Sequence, residues 1–376
     1  MIYLDNSASS FVKPKNVQRA VLNALTLFTA NPGRSGHKAS LKTAFEVERV
    51  RELCANHVGT TSDKIIFTGG CTDALNLAIL GTAKNGHVVC SDNEHNSVLR
   101  PLEHLKLSNP NFSYSVAQST GKLGLVWEDV EKCLREDTYL VCLNHISNVN
   151  GDVAEIERIG RELKKRNILF LVDGAQGGGH FFYDMRRMNI NLLALAPHKG
   201  FYSPQGVGVL AVCGNIPLEP IRFGGTGTNS LELVQPESFP ERYESGTLCT
   251  PTILGFGEGI RFVEENFDAI ATKMEDLVTY LHYELSKLPL EIYTKTENTN
   301  GVFAFNVPNV HSTDVANYLD EKWNICVRSG LHCAPLKHKS LGTVDTGAVR
   351  VSLSYFNTYQ EIERLVSAIK SFLKHH

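Results

Sequence analysis

The chain has 376 residues, and its 37 basic and 40 acidic side chains give a formal net charge of −3. This near balance excludes the strongly basic surface that favours nucleic acid, and the length predicts two domains. The N-terminal segment MIYLDNSASSF lacks the basic and apolar regions of a secretory signal, and no run approaches the length of a membrane span. We therefore expect a cytoplasmic protein with no nucleic-acid or membrane partner.

The nine cysteines are odd in number and scattered, and they form no Cys-x-x-Cys pair. We therefore expect neither a disulfide framework nor a zinc site. In a reducing compartment most of them should be small buried hydrophobic residues.

Short apolar runs alternate with helical patterns through the first two thirds of the chain. Such alternation predicts a mostly parallel sheet with helices on both faces. The predicted strands are 64–68, 87–91, 139–144 and 168–173, and a helix is predicted over 154–166.

The pattern changes near residue 253 and predicts a smaller C-terminal α+β domain. Thr358 and Glu361 form a capping-box pattern at the start of the last helix. We place the large domain at 13–255 and the small domain at 256–376, with residues 1–12 packed at or near the small domain. The patterns in the small domain are a long helix over 253–287, a strand over 302–307 and a helix over 312–322.

Residues 190–210 read INLLALAPHKGFYSPQGVGVL, which predicts a strand, a turn with a lysine and a second strand. Lys199 follows His198 just past the first apolar run. Desolvation there would disfavour the ammonium form and prepare the amine to act as a nucleophile. A lone lysine in such a loop is more often an ordinary surface residue.

Two other strand ends carry groups that could bind a phosphorylated pyridine ring. The turn Gly69-Gly70-Cys71-Thr72 opens a helix whose free N–H groups could bind one phosphate, although such glycines often serve only to turn the chain. Asp173 ends a buried strand in VDGAQ, where it could pair with a protonated pyridine nitrogen or cap a helix. Together with Lys199, these groups describe a pyridoxal-phosphate site.

These motifs resemble those of class V aminotransferase-fold proteins in the cysteine desulfurase and selenocysteine lyase family. The matching motifs extend from YLDNSA at residue 3 to YFNT at residue 355, and the short RSGLHCAP loop is similar to that of the group II branch. The resemblance implies an α/β protein of pyridoxal-phosphate fold type I, with a mostly parallel, seven-stranded-type central sheet.

The resemblance also implies a role for each matching residue around pyridoxal 5'-phosphate. Lys199 matches the lysine that forms the Schiff base with the cofactor. The matching phosphate ligands are Cys71, Thr72 and His198, and the matching ring partners are His95, Asp173 and Gln176. Asn148 matches an asparagine on the substrate side, and Gly246 and Thr247 match residues that reach the phosphate of the neighbouring subunit, which implies a homodimer.

Two later residues indicate the reaction. Cys333, in the RSGLHCAP loop, could be inert, but a partly exposed thiol near cationic groups can act as a nucleophile. Arg350 lies inside an apolar strand pattern, where it could bind a carboxylate or form an internal salt bridge. In the family, the matching cysteine takes sulfur and the matching arginine holds the substrate carboxylate. Metal ligation by His332, Cys333 and His338 lacks a second ligand pair.

The hypothesis from sequence is a cysteine desulfurase that converts L-cysteine to L-alanine and transfers sulfur to Cys333 as a persulfide. An acceptor protein or a thiol would then take the sulfur, with iron–sulfur cluster assembly as one destination. The alternatives are a selenocysteine lyase acting on L-selenocysteine, another aminotransferase or β-lyase of the same fold, and a non-catalytic homologue that serves as a binding partner. Ala196 and Pro197 depart from the family pattern, because relatives commonly have a hydroxyl side chain and a glycine there.

Overall fold

The computed structural model describes residues 1–33, 36–227 and 230–375. In this part of the chain the strands are, in order, β1 (Ile2–Tyr3), β2 (Ile65–Thr68), β3 (Gly86–Ser91), β4 (Phe112–Ala117), β5 (Thr138–Asn144), β6 (Leu169–Asp173), β7 (Leu192–Leu195), β8 (Gly208–Val212), β9 (Glu291–Ile292), β10 (Val302–Asn306), β11 (Ile325–Cys326) and β12 (Val349–Ser352).

The α-helices cover both faces of the central sheet and build the C-terminal region. In order they are α1 (Lys15–Thr26), α2 (Lys38–Val58), α3 (Cys71–Gly81), α4 (Asn96–Ser108), α5 (Trp127–Glu131), α6 (Ile156–Lys165), α7 (Met185–Met188), α8 (Thr250–Leu285), α9 (Ser312–Trp323), α10 (Pro335–Leu341) and α11 (Tyr359–Leu373).

The central sheet has seven strands in the order β2-β8-β7-β6-β5-β3-β4. Only β8 runs against its neighbours, pairing antiparallel with both β2 and β7. The mostly parallel sheet predicted from the sequence is therefore confirmed. Every residue of β5 and β7 is buried because helices cover both faces, which explains their continuous apolar runs.

The parallel strands all end at one edge of the sheet. Asn144 pairs with Asp173, the last residue of β6, and Asp173 pairs with Ala194 near the end of β7. The loops after these strands carry most of the polar residues singled out in the sequence. This edge is where ligands bind in open α/β sheets.

The C-terminal region contains a three-stranded antiparallel sheet in the order β12-β10-β9. The predicted capping box at Thr358 and Glu361 is present at the start of α11. The N-terminal strand β1 pairs with β11 of this region. The boundary placed at residue 255 lies inside α8, a 36-residue helix, so the proposed division into two domains is bridged by a continuous helix.

The nine cysteines are free, but the expectation that most are buried is wrong. Cys54, Cys90 and Cys142 are buried, whereas the other six are half-buried or exposed. The buried three lie on α2, β3 and β5, against the core, and the others lie mainly at element ends and in loops. Within the described ranges, no helix is both long and apolar enough to cross a membrane.

Candidate active site

A cavity of about 440 Å³ opens at the carboxyl edge of the central sheet. Its volume lies within the ~300–1,000 Å³ typical of small-molecule sites. Nine of the residues to which the family resemblance assigns a role line it: Cys71, Thr72, His95, Asn148, Asp173, Gln176, His198, Lys199 and Arg350. Cys333, Gly246 and Thr247 are not in this lining.

Lys199 stands in the turn after β7, where its backbone N–H donates to the Ala196 carbonyl at 3.0 Å. The side chain is half-buried, and its Nζ has no hydrogen-bond partner among the described residues. Burial lowers the pKa of Lys199, and the nearby Asp173 opposes this effect. The amine is therefore more easily deprotonated than an ordinary lysine, as a Schiff-base nucleophile requires.

Asp173 is a buried carboxyl at the end of β6. Its Oδ1 accepts a hydrogen bond from the Ala175 N–H at 2.9 Å and lies 3.8 Å from Cys71 Sγ, which donates to it. Burial raises the pKa of Asp173, while the Ala175 N–H and Lys199 favour the carboxylate. A cationic ring nitrogen placed against this carboxyl would stabilise the ionised form further.

The N-terminus of α3 faces the cavity, with Gly70 as its N-cap. Strand β8 packs closely against this turn. A Cβ added to Gly208 would lie only 2.1 Å from the Gly70 carbonyl carbon. Thr72 Oγ1 lies 2.8 Å from Ser97 Oγ, which links the starts of α3 and α4. Free N–H groups at such a helix start bind a phosphate well.

His95 is the N-cap of α4, and its ring is fixed by that role. Nδ1 accepts a hydrogen bond from the Ser97 N–H at 3.0 Å, so the proton of the neutral ring is on Nε2. Burial and then the charge of Lys199 lower the pKa of His95 to about 4. The ring is therefore neutral at physiological pH and can pack on an aromatic cofactor.

The N-terminal segment closes one side of the cavity. Gln176 Nε2 donates to the Ser7 carbonyl at 3.1 Å, and Ser10 N–H donates to the His198 carbonyl at 3.0 Å. These contacts hold the YLDNSA motif against the Lys199 turn. They explain why a motif at residue 3 belongs to the same site as residues near 199.

Arg350, on β12, is 1% exposed and reaches the cavity from the C-terminal region. Its Nη2 forms an ion pair with Asp5 Oδ1 at 2.6 Å, and its Nη1 donates to the Asn148 carbonyl at 2.8 Å. The internal salt bridge, one of the two alternatives that the sequence analysis gave for Arg350, is therefore present. Arg350 Nε has no partner among the described residues, so part of the guanidinium remains free for a ligand.

Cys333 lies in a loop directly after His332, which is buried and lines the cavity. The thiol residue is exposed, and its backbone carbonyl accepts a hydrogen bond from the Asn96 N–H at 2.7 Å. Asn148 Nδ2 donates to the His332 carbonyl at 2.7 Å. The loop is thus fixed to two segments of the large sheet's edge.

Sequence reasoning missed two charged residues of this site. Arg328 begins the RSGLHCAP motif and lines the cavity, and its guanidinium has no partner among the described residues. Asp5, in the YLDNSA motif, is the ion-pair partner of Arg350. Both lie inside motifs that the sequence analysis quoted, so their position in those motifs is the feature that could have found them.

Gly246 and Thr247 are exposed and do not line this cavity. Gly246 N–H donates to the Gly225 carbonyl, and Thr247 Oγ1 accepts a hydrogen bond from Asn31 Nδ2 at 3.4 Å. Within one chain, Gly246 and Thr247 are therefore not part of the cavity that the other predicted site residues form.

The residues of the cavity fit pyridoxal phosphate. Several lining residues have a buried polar atom with no hydrogen-bond partner among the described residues, as expected where a polar ligand binds. These atoms are His198 Nδ1, Asn144 Oδ1, Asn148 Oδ1, His332 Nδ1 and Arg350 Nε. Ala196 also lines the cavity and offers no hydroxyl there. No cluster of three metal-ligating side chains occurs among the residues that the structure describes.

The chain belongs to the aminotransferase class-V family, whose model matches residues 2–365. It is 33% identical over 375 residues to a probable cysteine desulfurase of Methanothermobacter thermautotrophicus, covering 97% of this chain and 92% of that protein. A probable cysteine desulfurase of Pyrococcus abyssi is 32% identical, with 100% and 94% covered. The apo structure of a cysteine desulfurase from Thermococcus onnurineus is 31% identical, with 100% and 95% covered and a TM-score of 0.91.

Proposed function

We propose that this protein is a pyridoxal-phosphate-dependent cysteine desulfurase. The observation that carries the proposal is that Lys199, Asp173 and the N-terminus of α3 open into one cavity, and that the exposed Cys333 directly follows His332 of the cavity lining. A transaminase needs the first three features but has no use for the thiol. The full-length similarity to proteins described as cysteine desulfurases supports the same choice.

Six groups would hold the cofactor. The free N–H groups of α3 and the side chains of Thr72 and His198 would bind its phosphate, and Asp173 would face its ring nitrogen. His95 would cover the ring, and Gln176 would donate to the ring oxygen. When bound, pyridoxal phosphate supplies a ring that withdraws electrons from the substrate Cα.

The substrate would enter between the cofactor and the C-terminal region. Arg350 offers its unpartnered Nε to the α-carboxylate of L-cysteine, and Arg328 adds a second positive charge to the same end of the cavity. The Lys199 amine, with its lowered pKa, would take the Cα proton. Asn148 orients Arg350 through its carbonyl oxygen.

Cys333 would accept the sulfur. One L-cysteine and the Cys333 thiol give one L-alanine and one Cys333 persulfide, so no external oxidant is required. The sulfur then passes to an acceptor protein or a small thiol, for example in iron–sulfur cluster assembly. The nine free cysteines fit a reducing compartment such as the cytoplasm.

The test is the reaction of the cofactor-loaded protein with L-cysteine in the presence of dithiothreitol. We expect equal amounts of L-alanine and sulfide, and loss of both on Cys333→Ala substitution. Mass spectrometry without dithiothreitol should find one added sulfur atom on the Cys333 peptide. A cofactor-loaded protein that forms alanine equally fast without Cys333 would contradict the proposal, and turnover of L-selenocysteine alone would favour a lyase.

We also propose that the protein is a homodimer. Large apolar side chains are exposed along one segment that precedes Gly246 and Thr247: Phe223, Leu231, Leu233 and Val234. Exposed apolar side chains grouped in this way favour a protein interface. Light scattering should give about twice the chain mass of 41.6 kDa, and a Leu231→Asp, Leu233→Asp variant should shift toward the monomer. A monomeric wild-type protein would contradict this assignment.

A further inference from the structure

A buried ion pair holds the helix that follows the Cys333 loop. Lys337, on α10, places its Nζ 2.7 Å from Asp152 Oδ2, and the two side chains are 5% and 2% exposed. Asp152 belongs to the tight loop 147–152, where Ser147 N–H donates to its carbonyl oxygen at 2.8 Å. The pair therefore joins the helix that follows Cys333 to a loop at the edge of the central sheet.

The same loop also holds the residue before Cys333. Asn148 Nδ2 donates to the His332 carbonyl at 2.7 Å. Loop 147–152 thus contacts the chain on both sides of Cys333, at His332 and at Lys337. A segment fixed at two points around one exposed residue leaves that residue little freedom to change its position.

The backbone at the thiol needs such support. His332 and Cys333 both have positive φ angles, of 48° and 58°. Non-glycine residues in this region are strained, and the conformation persists only where the surrounding contacts fix it. The contacts that fix it include the Asn96 N–H hydrogen bond to the Cys333 carbonyl at 2.7 Å and the Asn148 hydrogen bond to the His332 carbonyl. The His332 Nε2 hydrogen bond to the Ala348 carbonyl at 3.1 Å and the ion pair of Lys337 add to them.

We propose that the Asp152–Lys337 ion pair positions Cys333 for sulfur transfer, and that it does so without contributing to the binding of cofactor or L-cysteine. Neither side chain lines the cavity. In the step concerned, a bond forms between Cys333 Sγ and the substrate sulfur while the bond from that sulfur to Cβ breaks. The electron pair of the broken bond stays with the carbon fragment, which takes up a proton on its way to alanine.

The chain offers a matched control for this proposal. Lys295 Nζ also contacts Asp152, 3.3 Å from Oδ1, but Lys295 lies between β9 and β10, outside the Cys333 loop and the helix that follows it. Lys337→Met and Lys295→Met each remove one positive charge from the same carboxylate. In Lys337→Met, Asp152 keeps Lys295 and Asn298 Nδ2 as partners, so its charge is not left unpaired.

Two measurements test this proposal. Formation of L-alanine rests on the proposed desulfurase function, and labelling of the Cys333 thiol is independent of it. The independent measurement is the rate at which iodoacetamide labels Cys333 in the cofactor-loaded protein, followed by mass spectrometry of its peptide. We expect Lys337→Met to change this rate by about fivefold or more, because a released loop exposes the thiol differently, and Lys295→Met to leave it at the wild-type value. Cofactor absorbance should be the same in all three proteins.

The dependent measurement is steady-state formation of L-alanine. We expect Lys337→Met to lower kcat by about 10- to 100-fold, the size of effect produced by misplacing a reacting group by about 1 Å, with KM within about twofold of wild type. An unchanged labelling rate in Lys337→Met, or an equal change in Lys295→Met, would overturn the proposal. Absence of alanine from the wild-type protein would instead overturn the proposed function and leave the labelling result valid.

A second variant separates the effect of losing the ion pair from the effect of losing the fold. Asp152→Asn combined with Lys337→Met removes both charges from the buried contact, and such neutral replacements are usually tolerated. We expect this double variant to unfold at a temperature near that of wild type and still to show the altered labelling rate. A double variant with normal Cys333 labelling would mean that the ion pair does not position the thiol.

Discussion

Arg350 and Asp5, which lie 345 positions apart in the sequence, form an ion pair with Nη2 and Oδ1 2.6 Å apart. The pair connects the strand β12 to the segment that follows β1. It uses one side of the guanidinium and leaves Nε without a partner among the described residues. The carboxylate of Asp5 therefore orients Arg350 while the arginine keeps a donor for a second carboxylate.

This arrangement predicts the effect of Arg350→Lys. A lysine cannot contact Asp5, the Asn148 carbonyl and a substrate carboxylate at the same time, because its donors diverge from a single nitrogen. Loss of one charge-assisted hydrogen bond costs about 1.5–3 kcal/mol, which corresponds to a rise in KM for L-cysteine of roughly 10- to 100-fold. Steady-state kinetics would measure it, with Arg364→Lys on the exposed face of α11 as the control. An unchanged KM would exclude Arg350 from substrate binding.

A second prediction concerns the close contact between β8 and the turn before α3. A Cβ on Gly208 would lie 2.1 Å from the Gly70 carbonyl carbon, so Gly208→Ala must displace backbone at the phosphate site. Overpacking of this kind costs about 1–3 kcal/mol, and we expect the affinity for pyridoxal phosphate to fall by about tenfold or more.

Absorbance titration of the cofactor-free protein with pyridoxal phosphate would measure this affinity. Gly36→Ala is a suitable control, since no heavy atom of the described residues beyond its chain neighbours lies within 4 Å of its added Cβ. Equal affinities for the two variants would show that the turn does not bind the cofactor phosphate.

The sequence predicts the site better where residues follow parallel strands. Asp173 ends one apolar strand and Lys199 lies in the turn after another. The carboxyl ends of parallel strands meet at one edge, so their proximity follows from the fold class. The Asp5–Arg350 pair could not be predicted in this way. It depends on how β1, β11 and β12 associate, which local patterns do not encode.

The same contrast holds for the fold. The buried strands β5 and β6 are continuous apolar runs and were predicted to within one residue of their bounds. The edge strand β4, FSYSVA, was missed because it is mostly half-buried and rich in serine. An edge strand needs less apolar sequence than a central one, so hydrophobic pattern alone does not identify it.

A third prediction follows from the exposure of the cysteines. Cys333 is exposed, whereas Cys54, Cys90 and Cys142 are buried, and burial raises the pKa of Cys54 to about 12. Because iodoacetamide reacts with accessible thiolates, we expect Cys333 to be labelled in the native protein and the buried three only after unfolding. Peptide mass spectrometry at several reaction times would measure the order. Labelling of Cys142 as fast as Cys333 would contradict the packing of β5.

The last prediction is a loss of stability in mild acid. His145 is 2% exposed, its Nδ1 lies 2.7 Å from the Tyr183 hydroxyl, and burial lowers its pKa to about 3. In the unfolded chain its pKa is about 6.5. Between these two values the unfolded state binds a proton that the folded state does not, so stability that is present above about pH 6.5 is lost as the pH falls.

The slope from one such histidine is at most about 1.4 kcal/mol per pH unit. His338, also buried with a pKa lowered by burial to about 4, acts in the same direction. We therefore expect the thermal midpoint to fall between about pH 7 and about pH 5, and to fall less in His145→Gln, which has no proton to gain. Scanning calorimetry at these pH values would measure both proteins. An equal fall in the variant would mean that His145 has the same pKa in the folded and unfolded states, because only then would its removal leave the pH dependence unchanged.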